Sequence, residues 1–184
     1  MTKQTTGRLP EWAASMAVVT NAGGLLGKQQ GEQIDAWERV ARFNNFSTAD
    51  EFRPDVGSKT DVWISSFYLD ISNPRQYFEA VFVPLPRELN RRYIKRPKLE
   101  KLYRDRTTYI PLETFERLRE QVPNPSTGLA FVWWMFSQFG KIDRCQLFGF
   151  EFFQPGTRHH YGDEKTGCHH NGRLEKNVFE KITF

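Results

Sequence analysis

The chain alternates short runs of apolar and β-branched residues with longer segments whose apolar positions repeat at helical spacing. The short runs predict six strands, at residues 15–21, 39–45, 60–66, 80–86, 107–112 and 144–153. The longer segments predict helices at residues 31–37, 87–106, 113–122, 126–140 and 173–184. The segment 126–140 is apolar on nearly every side, so we expect this helix to be buried.

Strands that alternate with helices predict an α/β protein with a Rossmann-like, mostly parallel sheet and helices on both faces. The length suits one core, so we expect a single domain over residues 1–184. Ligands of such sheets bind at the carboxyl ends of the strands. Asn21 ends the first predicted strand, Asn44 ends the second, and a histidine-rich loop follows the last. We therefore expect these segments to converge on one crevice.

All four histidines of the chain lie in the segment RHHYGDEKTGCHH, residues 158–170. Imidazoles cluster either to bind a metal ion or to move protons and hold an anion. A zinc site could draw its ligands from His159, His160, Cys168, His169 and His170. The spacing matches no standard zinc finger, and the side chains of adjacent histidines diverge. We therefore predict no metal and no cofactor, and favour a proton-accepting base with a phosphate-binding partner.

Three further residue patterns bear on an anion or a proton. Glu175 lies one turn inside the last predicted helix and could orient that helix start or an imidazole. In NPSTG, residues 124–128, Ser126 or Thr127 caps a helix, and the helix start either binds an anion or is an ordinary cap. The glycines of TNAGGLLG, residues 20–27, either let the backbone approach a phosphate or form a plain turn.

Charge and composition narrow the class of protein. The chain is 39% hydrophobic and 15% aromatic, as expected of a folded globular protein. A formal charge of +4 suits an anionic ligand without requiring nucleic acid. The basic segment 87–106 is either a solvated helix face or a patch for an acidic acceptor or a lipid surface. The second predicted strand ends in RFNN rather than in an acid, which disfavours an NAD-type oxidoreductase.

Cellular location is predicted from the N-terminus and the cysteines. No signal peptide and no membrane-spanning stretch is apparent, so we expect a cytoplasmic protein with at most a peripheral membrane association. Cys145 and Cys168 are expected to be reduced thiols, with one disulfide between them as the alternative.

Taken together, these segments resemble the sialyltransferase family of Golgi enzymes, which carries four sialylmotifs. Residues 17–62, AVVTNAGGLLG to TDV, are similar to the large motif, and residues 124–152, NPSTG to FEF, to the small motif. HHYGD, residues 159–163, resembles the third motif, a His-Tyr pair followed by an acid. HNGRLE, residues 170–175, matches the very small motif. The four occur in the family's order.

The resemblance implies a GT-A-like catalytic domain that moves sialic acid from CMP-sialic acid to a glycan hydroxyl by inverting, metal-independent transfer. CMP-Kdo, which carries another acidic keto-sugar, is the alternative donor. The alternative of another class is a nucleotide- or metal-binding module without catalysis. The implied partners are the CMP-sugar and a glycan or glycolipid acceptor, with acceptor contacts from loops such as residues 73–106.

The resemblance also implies residue roles. His170 would be the general base, and His160 would bind the donor phosphate. The other predicted donor-binding residues are Asn21, Asn44, Ser126, Thr127, Gly128, Gly149 and Phe150.

The chain departs from the family pattern at several positions. The family joins its large and small motifs by a disulfide, and Met16 and Gly140 stand where its cysteines would be. Thr20 replaces a glycine, Ala22 a small polar residue, and Gly162 an aromatic residue. The membrane anchor and stem are not apparent either. We therefore expect a minimal, soluble relative of bacterial or viral type.

Overall fold

The structure, a computed structural model, describes residues 7–67, 77–90, 101–153, 158–161 and 170–184. Within these residues, six strands form a single sheet in which every neighbouring pair is parallel. The strands are β1 (Ala17–Val19), β2 (Val40–Phe43), β3 (Val62–Ile64), β4 (Ala80–Val83), β5 (Thr107–Tyr109) and β6 (Leu147–Phe148). Their order across the sheet is β5-β4-β3-β2-β1-β6. The predicted parallel α/β architecture is confirmed.

The α-helices are α1 (Gly31–Asp35), α2 (Arg53–Val56), α3 (Arg87–Asn90), α4 (Leu112–Arg119), α5 (Thr127–Phe139) and α6 (Gly172–Ile182). The basic segment begins with α3 and is helical again at residues 101–103, and its residues 91–100 lie outside the described part of the chain. Helix α2 was not predicted, because four residues are too few to display a helical period. None of the described helices is long and apolar enough to cross a membrane.

The two faces of the sheet bury different residues, because successive side chains of a strand point to opposite sides. Val18, Ala41 and Ile64 face a core shared with α4, α5 and α6. On the opposite face, Val19 and Val40 join a cluster that includes α1 and α2 residues. Helices therefore cover both faces of the sheet, as predicted.

Helix α5 is the buried helix that its apolar composition predicts. Ser126 caps it, with Oγ accepting the Leu129 N–H at 3.1 Å. Its ring at Phe131 stacks on Phe82 of β4, with centroids 5.8 Å apart. Gly140 ends the helix with a φ of +81°, a backbone region that glycine adopts without steric cost. The resemblance places a cysteine of the family at position 140. In this chain the glycine there ends α5 instead.

The prediction of a long last strand at residues 144–153 is wrong, since β6 contains only Leu147–Phe148. Asp143 caps a 3₁₀ turn over Arg144–Gln146 by accepting the Cys145 N–H at 2.9 Å. Gly149 then has a φ of +77°, and the next residues, up to Phe152 and Phe153, leave the sheet. Residues at positive φ cannot continue a pleated strand. The apolar run continues because it packs against the core, not because it is extended.

We expect Gly149→Ala to lower the free energy of unfolding by clearly more than Gly140→Ala. Both glycines have a positive φ, so each new side chain costs about 1–2 kcal/mol of backbone strain. At Gly149 a Cβ would also lie 2.5 Å from Thr20 Oγ1 and 2.9 Å from Leu25 Cγ, whereas at Gly140 it would have no heavy atom within 4 Å. Urea titrations measure the difference, and equal losses would contradict the close packing at Gly149.

Candidate functional site

Three of the predicted site residues come directly after strands that are neighbours in the sheet. Asn21 follows β1, Asn44 follows β2 and Gly149 follows β6, and these strands are neighbours in the order β2-β1-β6. Thr20 joins two of the ends, because its N–H donates to Phe148 O at 3.0 Å and its Oγ donates to Gly149 O at 2.5 Å. The structure therefore brings these ends together at the edge of the sheet where ligands of such folds bind.

The Asn21 side chain is fixed by two hydrogen bonds from its Nδ2, while its Oδ1 accepts none from the described residues. Its Nδ2 donates to Phe43 O at 3.0 Å and to Asn45 O at 2.5 Å. Its Oδ1 is buried and has no hydrogen-bond partner among the described residues. A buried acceptor without a donor costs about 1–3 kcal/mol. A ligand donor placed at this oxygen would recover that free energy, which makes Asn21 a candidate ligand contact.

Asn44 adopts a left-handed backbone, with φ at 43°, which asparagine tolerates better than most residues. Its N–H donates to Ile64 O at 2.8 Å, and its Oδ1 accepts the Ser66 N–H at 3.3 Å. The Asn44 side-chain oxygen therefore binds the backbone just after β3. A ligand contact from this side chain would come from Nδ2, which has no partner in the part of the chain that the structure describes.

The His-Tyr pair, which follows β6 in the chain, packs against the loop that follows β1. Gly23 N–H donates to Arg158 O at 2.7 Å, and His160 N–H donates to Asn21 O at 2.9 Å. The Tyr161 hydroxyl donates to Asn45 O at 2.5 Å. Asn45 O therefore accepts from both Asn21 and Tyr161. These hydrogen bonds bring the third motif to the carboxyl ends of β1 and β2.

The His160 imidazole is buried between two main-chain carbonyl groups. Its Nδ1 lies 3.3 Å from Asn21 O and its Nε2 lies 3.0 Å from Ser47 O. Burial lowers the pKa of His160, while the two carbonyl groups act in the opposite direction. The predicted phosphate contact requires the ring to release one of these carbonyl groups, and the role of His160 stays a prediction.

A second group of residues surrounds the start of α5. Glu175 is 1% exposed, and its Oε1 accepts the Ser126 N–H at 2.8 Å. Its Oε2 accepts the Ser126 hydroxyl at 2.7 Å. Burial raises the pKa of Glu175, and the two hydrogen bonds from Ser126 partly offset that effect. Glu175 therefore holds the start of α5, although it lies in α6.

His170 has the geometry of a base. Its Nδ1 lies 3.0 Å from Asn124 O, and because a carbonyl oxygen only accepts, Nδ1 carries the proton. In the neutral ring the lone pair then lies on Nε2. Nε2 has no partner among the residues described, and the side chain is 25% exposed. The Glu175 carboxylate is further away, with Oε1 3.8 Å from Nδ1.

Phe150 packs between the two groups of residues. A Cβ placed on Gly128 would lie 3.5 Å from Phe150 Cε1, so the first turn of α5 runs close to this ring. Phe150 stacks on Phe179 of α6 at 5.1 Å and meets Phe43 of β2 edge-to-face at 6.4 Å. Phe150 therefore connects the end of β2 with the start of α5, where Gly128 lies.

Sequence reasoning missed several contributors to this site. Ser47, Asn124 and Asn45 act through main-chain carbonyl oxygens, which a side-chain pattern does not reveal. Thr20 was noted only as a departure from the family, and yet its hydroxyl bonds to Gly149 O. Its position directly after a strand was the one available signal.

The glycine-rich loop after β1 turns its N–H groups toward the protein. Gln29 N–H donates to Asp55 Oδ1 at 2.8 Å. Hydrogen bonds from the backbone of Gly27, Gln29 and Lys28 lower the pKa of Asp55. Within the loop, the Gly23 N–H donates to Arg158 O at 2.7 Å and the Leu26 N–H donates to Gly23 O at 3.0 Å. Because groups of the chain itself occupy these donors, the loop matches the alternative of a plain turn better than that of a phosphate cradle.

Two surface cavities differ in their relation to the predicted site. A cleft of about 380 Å³ runs beside the end of β6 and includes Gly149 and Phe150 in its lining, together with Lys28 and Glu151. A wider depression of about 780 Å³ lies over α1 and α2 and contains none of the predicted residues. The smaller cleft is therefore the one that adjoins the site.

The alternative of a metal site depends partly on residues outside the described part of the chain, namely Cys168 and His169. Among the described residues, no three His, Cys, Asp or Glu side chains are grouped so that they could hold a metal ion. Cys145 is a free, exposed thiol, and its hydrogen bond with Asp143 raises the pKa of Cys145.

Comparison with known proteins finds a family resemblance over part of the chain. Residues 10–84 match the model of glycosyltransferase family 29 (sialyltransferase). This part of the chain is therefore similar to the sialyltransferase family. The chain is 40% identical over 70 residues to beta-galactoside alpha-2,6-sialyltransferase 2 of Bos taurus. It is 36% identical over 87 residues to alpha-N-acetylgalactosaminide alpha-2,6-sialyltransferase 2 of Mus musculus.

These matches cover 38% and 47% of this chain, but only 14% and 23% of the two sialyltransferases. The fold is similar over a longer stretch. A crystal structure of a mammalian sialyltransferase superposes with a TM-score of 0.64 at 23% identity, covering 92% of this chain and 68% of that one. A mammalian sialyltransferase in complex with Gal-beta-1-3GalNAc-ortho-nitrophenol gives a TM-score of 0.63 at 22% identity. The Rossmann-like fold is thus that of the sialyltransferases.

Proposed function

We propose that the chain transfers sialic acid from CMP-sialic acid to a glycan hydroxyl, as an inverting and metal-independent glycosyltransferase. The match of residues 10–84 to the sialyltransferase family model supports the reaction class. The observation that carries the proposal is the state of His170. Its Nδ1–H donates to Asn124 O at 3.0 Å, so the lone pair of Nε2 can accept a proton.

The proposed reaction is one displacement at the anomeric carbon of the donor. The acceptor oxygen forms a bond to that carbon while the bond from the carbon to the phosphate oxygen of CMP breaks. Nε2 of His170 takes the proton of the acceptor hydroxyl, and CMP leaves with the bonding electron pair. Attack opposite the leaving group inverts the anomeric carbon.

Groups of the chain itself would hold the CMP part of the donor. The N–H groups of Thr127 and Gly128 have no partner among the described residues, and they lie at the positive end of the α5 dipole. Such donors stabilise the charge that grows on a leaving phosphate. The buried Oδ1 of Asn21 accepts from a donor group of the nucleotide. We place the CMP part of the donor between the start of α5 and Asn21 Oδ1.

Several finer predictions accompany this proposal. CMP-Kdo stays the alternative donor, because it shares the leaving group and carries an acidic keto-sugar. We also propose a single catalytic domain, a cytoplasmic location and at most a peripheral contact with membranes, each from the sequence alone.

We expect the protein to bind CMP in the presence of a chelator. CMP at about 100 times its dissociation constant should stabilise the fold by about 2.7 kcal/mol, which a thermal melt detects. The groups proposed to bind CMP are amides and N–H groups of the chain. EDTA should therefore not reduce the shift in melting temperature. The melts should include CMP, CMP-sialic acid, CMP-Kdo, a UDP-sugar and NAD.

The ligand panel separates the alternatives. A shift with a UDP-sugar or NAD but not with CMP would contradict the donor assignment. A shift with CMP that disappears in EDTA would contradict metal independence. Product analysis with CMP-sialic acid and CMP-Kdo, each with a galactose-terminated acceptor, then identifies the sugar that is transferred.

A further inference from the structure

We propose that Phe153 is a positioning residue for His170, whose ring it holds so that Nε2 faces the acceptor hydroxyl. The Phe153 and His170 rings are stacked, with centroids 4.9 Å apart and planes inclined by 27°. This inference rests on the proposed function, in which His170 is the base. Phe153 itself touches neither substrate nor reacting atoms in this assignment.

The His170 ring is restrained in two different ways. Asn124 O lies 3.0 Å from Nδ1 and sets which nitrogen carries the proton. One hydrogen bond still leaves the ring able to swing about the line that joins its two atoms. The stacked Phe153 ring covers one face of the imidazole and opposes that swing. Since stacking uses the ring face, it leaves Nε2 in the ring plane open for a proton.

The backbone at Phe153 is strained in the conformation that places its ring against His170. Phe152 and Phe153 have φ values of 53° and 50°, the left-handed region that bulky residues rarely adopt. Gly172, the first residue of α6, lies so close to this turn that a Cβ there would overlap the carbonyl oxygen of Phe152. Strained residues of this kind persist where surrounding structure over-determines them, and they cluster at functional sites.

The neighbouring Phe152 provides a matched control within the same turn. It shares the left-handed backbone, but its ring meets Phe179 edge-to-face at 4.8 Å and not His170. Loss of either ring removes core packing, and only loss of the Phe153 ring removes the stack on the imidazole. A role in positioning therefore predicts different results for two adjacent phenylalanines.

Kinetics with CMP-sialic acid and a galactose-terminated acceptor form the first arm of the test. We expect Phe153→Leu to lower kcat by about 10- to 100-fold, the range for a misplaced reacting group, with KM for the donor unchanged. Phe153→Tyr, which keeps the ring, should restore kcat. Phe152→Leu should retain the kcat of the unmodified protein. An unchanged kcat in Phe153→Leu, or equal losses in the two leucine variants, would overturn the proposal.

The second arm needs no activity. The ¹⁵N shifts of the His170 ring report its tautomer in the protein without donor. We expect the Nδ1–H form in the unmodified protein and in Phe152→Leu. We expect averaged shifts in Phe153→Leu, because a ring without the stack also leaves its hydrogen bond to Asn124 O for part of the time. Identical ring shifts in all three proteins would refute the positioning role. If the unmodified protein transfers no sugar while these shifts behave as expected, the proposed function fails and the placement of the ring by Phe153 stands.

Discussion

His170→Ala should abolish transfer and leave the affinity for CMP unchanged. A general base typically contributes 10²- to 10⁴-fold to the rate, so kcat should fall by about that factor. The base acts on the acceptor hydroxyl, and the CMP contacts proposed here come from Asn21 and from the start of α5. Isothermal titration with CMP measures the affinity, and transfer to a galactose-terminated acceptor measures the rate.

His170→Gln and His160→Ala sharpen this experiment. Glutamine can still donate to Asn124 O but cannot accept a proton at neutral pH, so His170→Gln should be as inactive as the alanine variant. His160→Ala should weaken both CMP binding and turnover, because the His160 ring holds the Asn21 loop to Ser47 O at 3.0 Å. His159→Ala should have the smaller effect. If His170→Ala transfers sugar at the full rate, the base lies elsewhere.

The fold was largely predictable because its signals are local. β2, for example, reads as a run of buried residues at Val40–Phe43, and α5 as an apolar segment that Ser126 caps. The last strand was mispredicted because Phe150, Phe152 and Phe153 resemble strand residues in composition. Their apolar character reflects packing against the core, and sequence composition does not distinguish a packed loop from a strand.

The sequence predicted which residue types form the candidate site but not which groups they bond to or pack against. His170, Asn21 and Ser126 could be selected because their side chains carry the chemistry. The hydrogen bond from His170 to Asn124 O joins residues 46 positions apart through a main-chain atom. No side-chain pattern encodes such a contact, because any residue at position 124 supplies the same oxygen. Phe153 likewise reads as a core residue until its contact with the imidazole is seen.

Glu175 illustrates the same limit and leads to the second large effect. The sequence suggests that this carboxylate orients the start of its own helix or an imidazole. It instead bonds to Ser126, 49 positions earlier, at the start of α5. The very small motif therefore stabilises the small motif. This connection gives Glu175 a role in stability that is separable from the chemistry at His170.

Glu175→Ala should lower the free energy of unfolding by about 2–4 kcal/mol, because it leaves the buried N–H and hydroxyl of Ser126 without acceptors. Glu175→Gln should lose about 1 kcal/mol or less, since its oxygen can accept the N–H and its amide can donate to the hydroxyl oxygen. Glu180→Ala is the matched control on α6, where the exposed Glu180 pairs with Lys176 at 3.9 Å. It should change stability by less than about 0.5 kcal/mol. Urea titration measures all three variants.

The pH dependence of these titrations tests the buried carboxylate directly. Because burial raises the pKa of Glu175, the folded state binds more protons than the unfolded state just above the ordinary glutamate value. The contribution of Glu175 to stability is therefore fully present below that value and declines as the pH rises through the raised pKa. Glu175→Gln has no such proton and should lack this decline. Parallel stability curves for the unmodified protein and Glu175→Gln, from about pH 4 to about pH 8, would show that the carboxylate is not perturbed by burial.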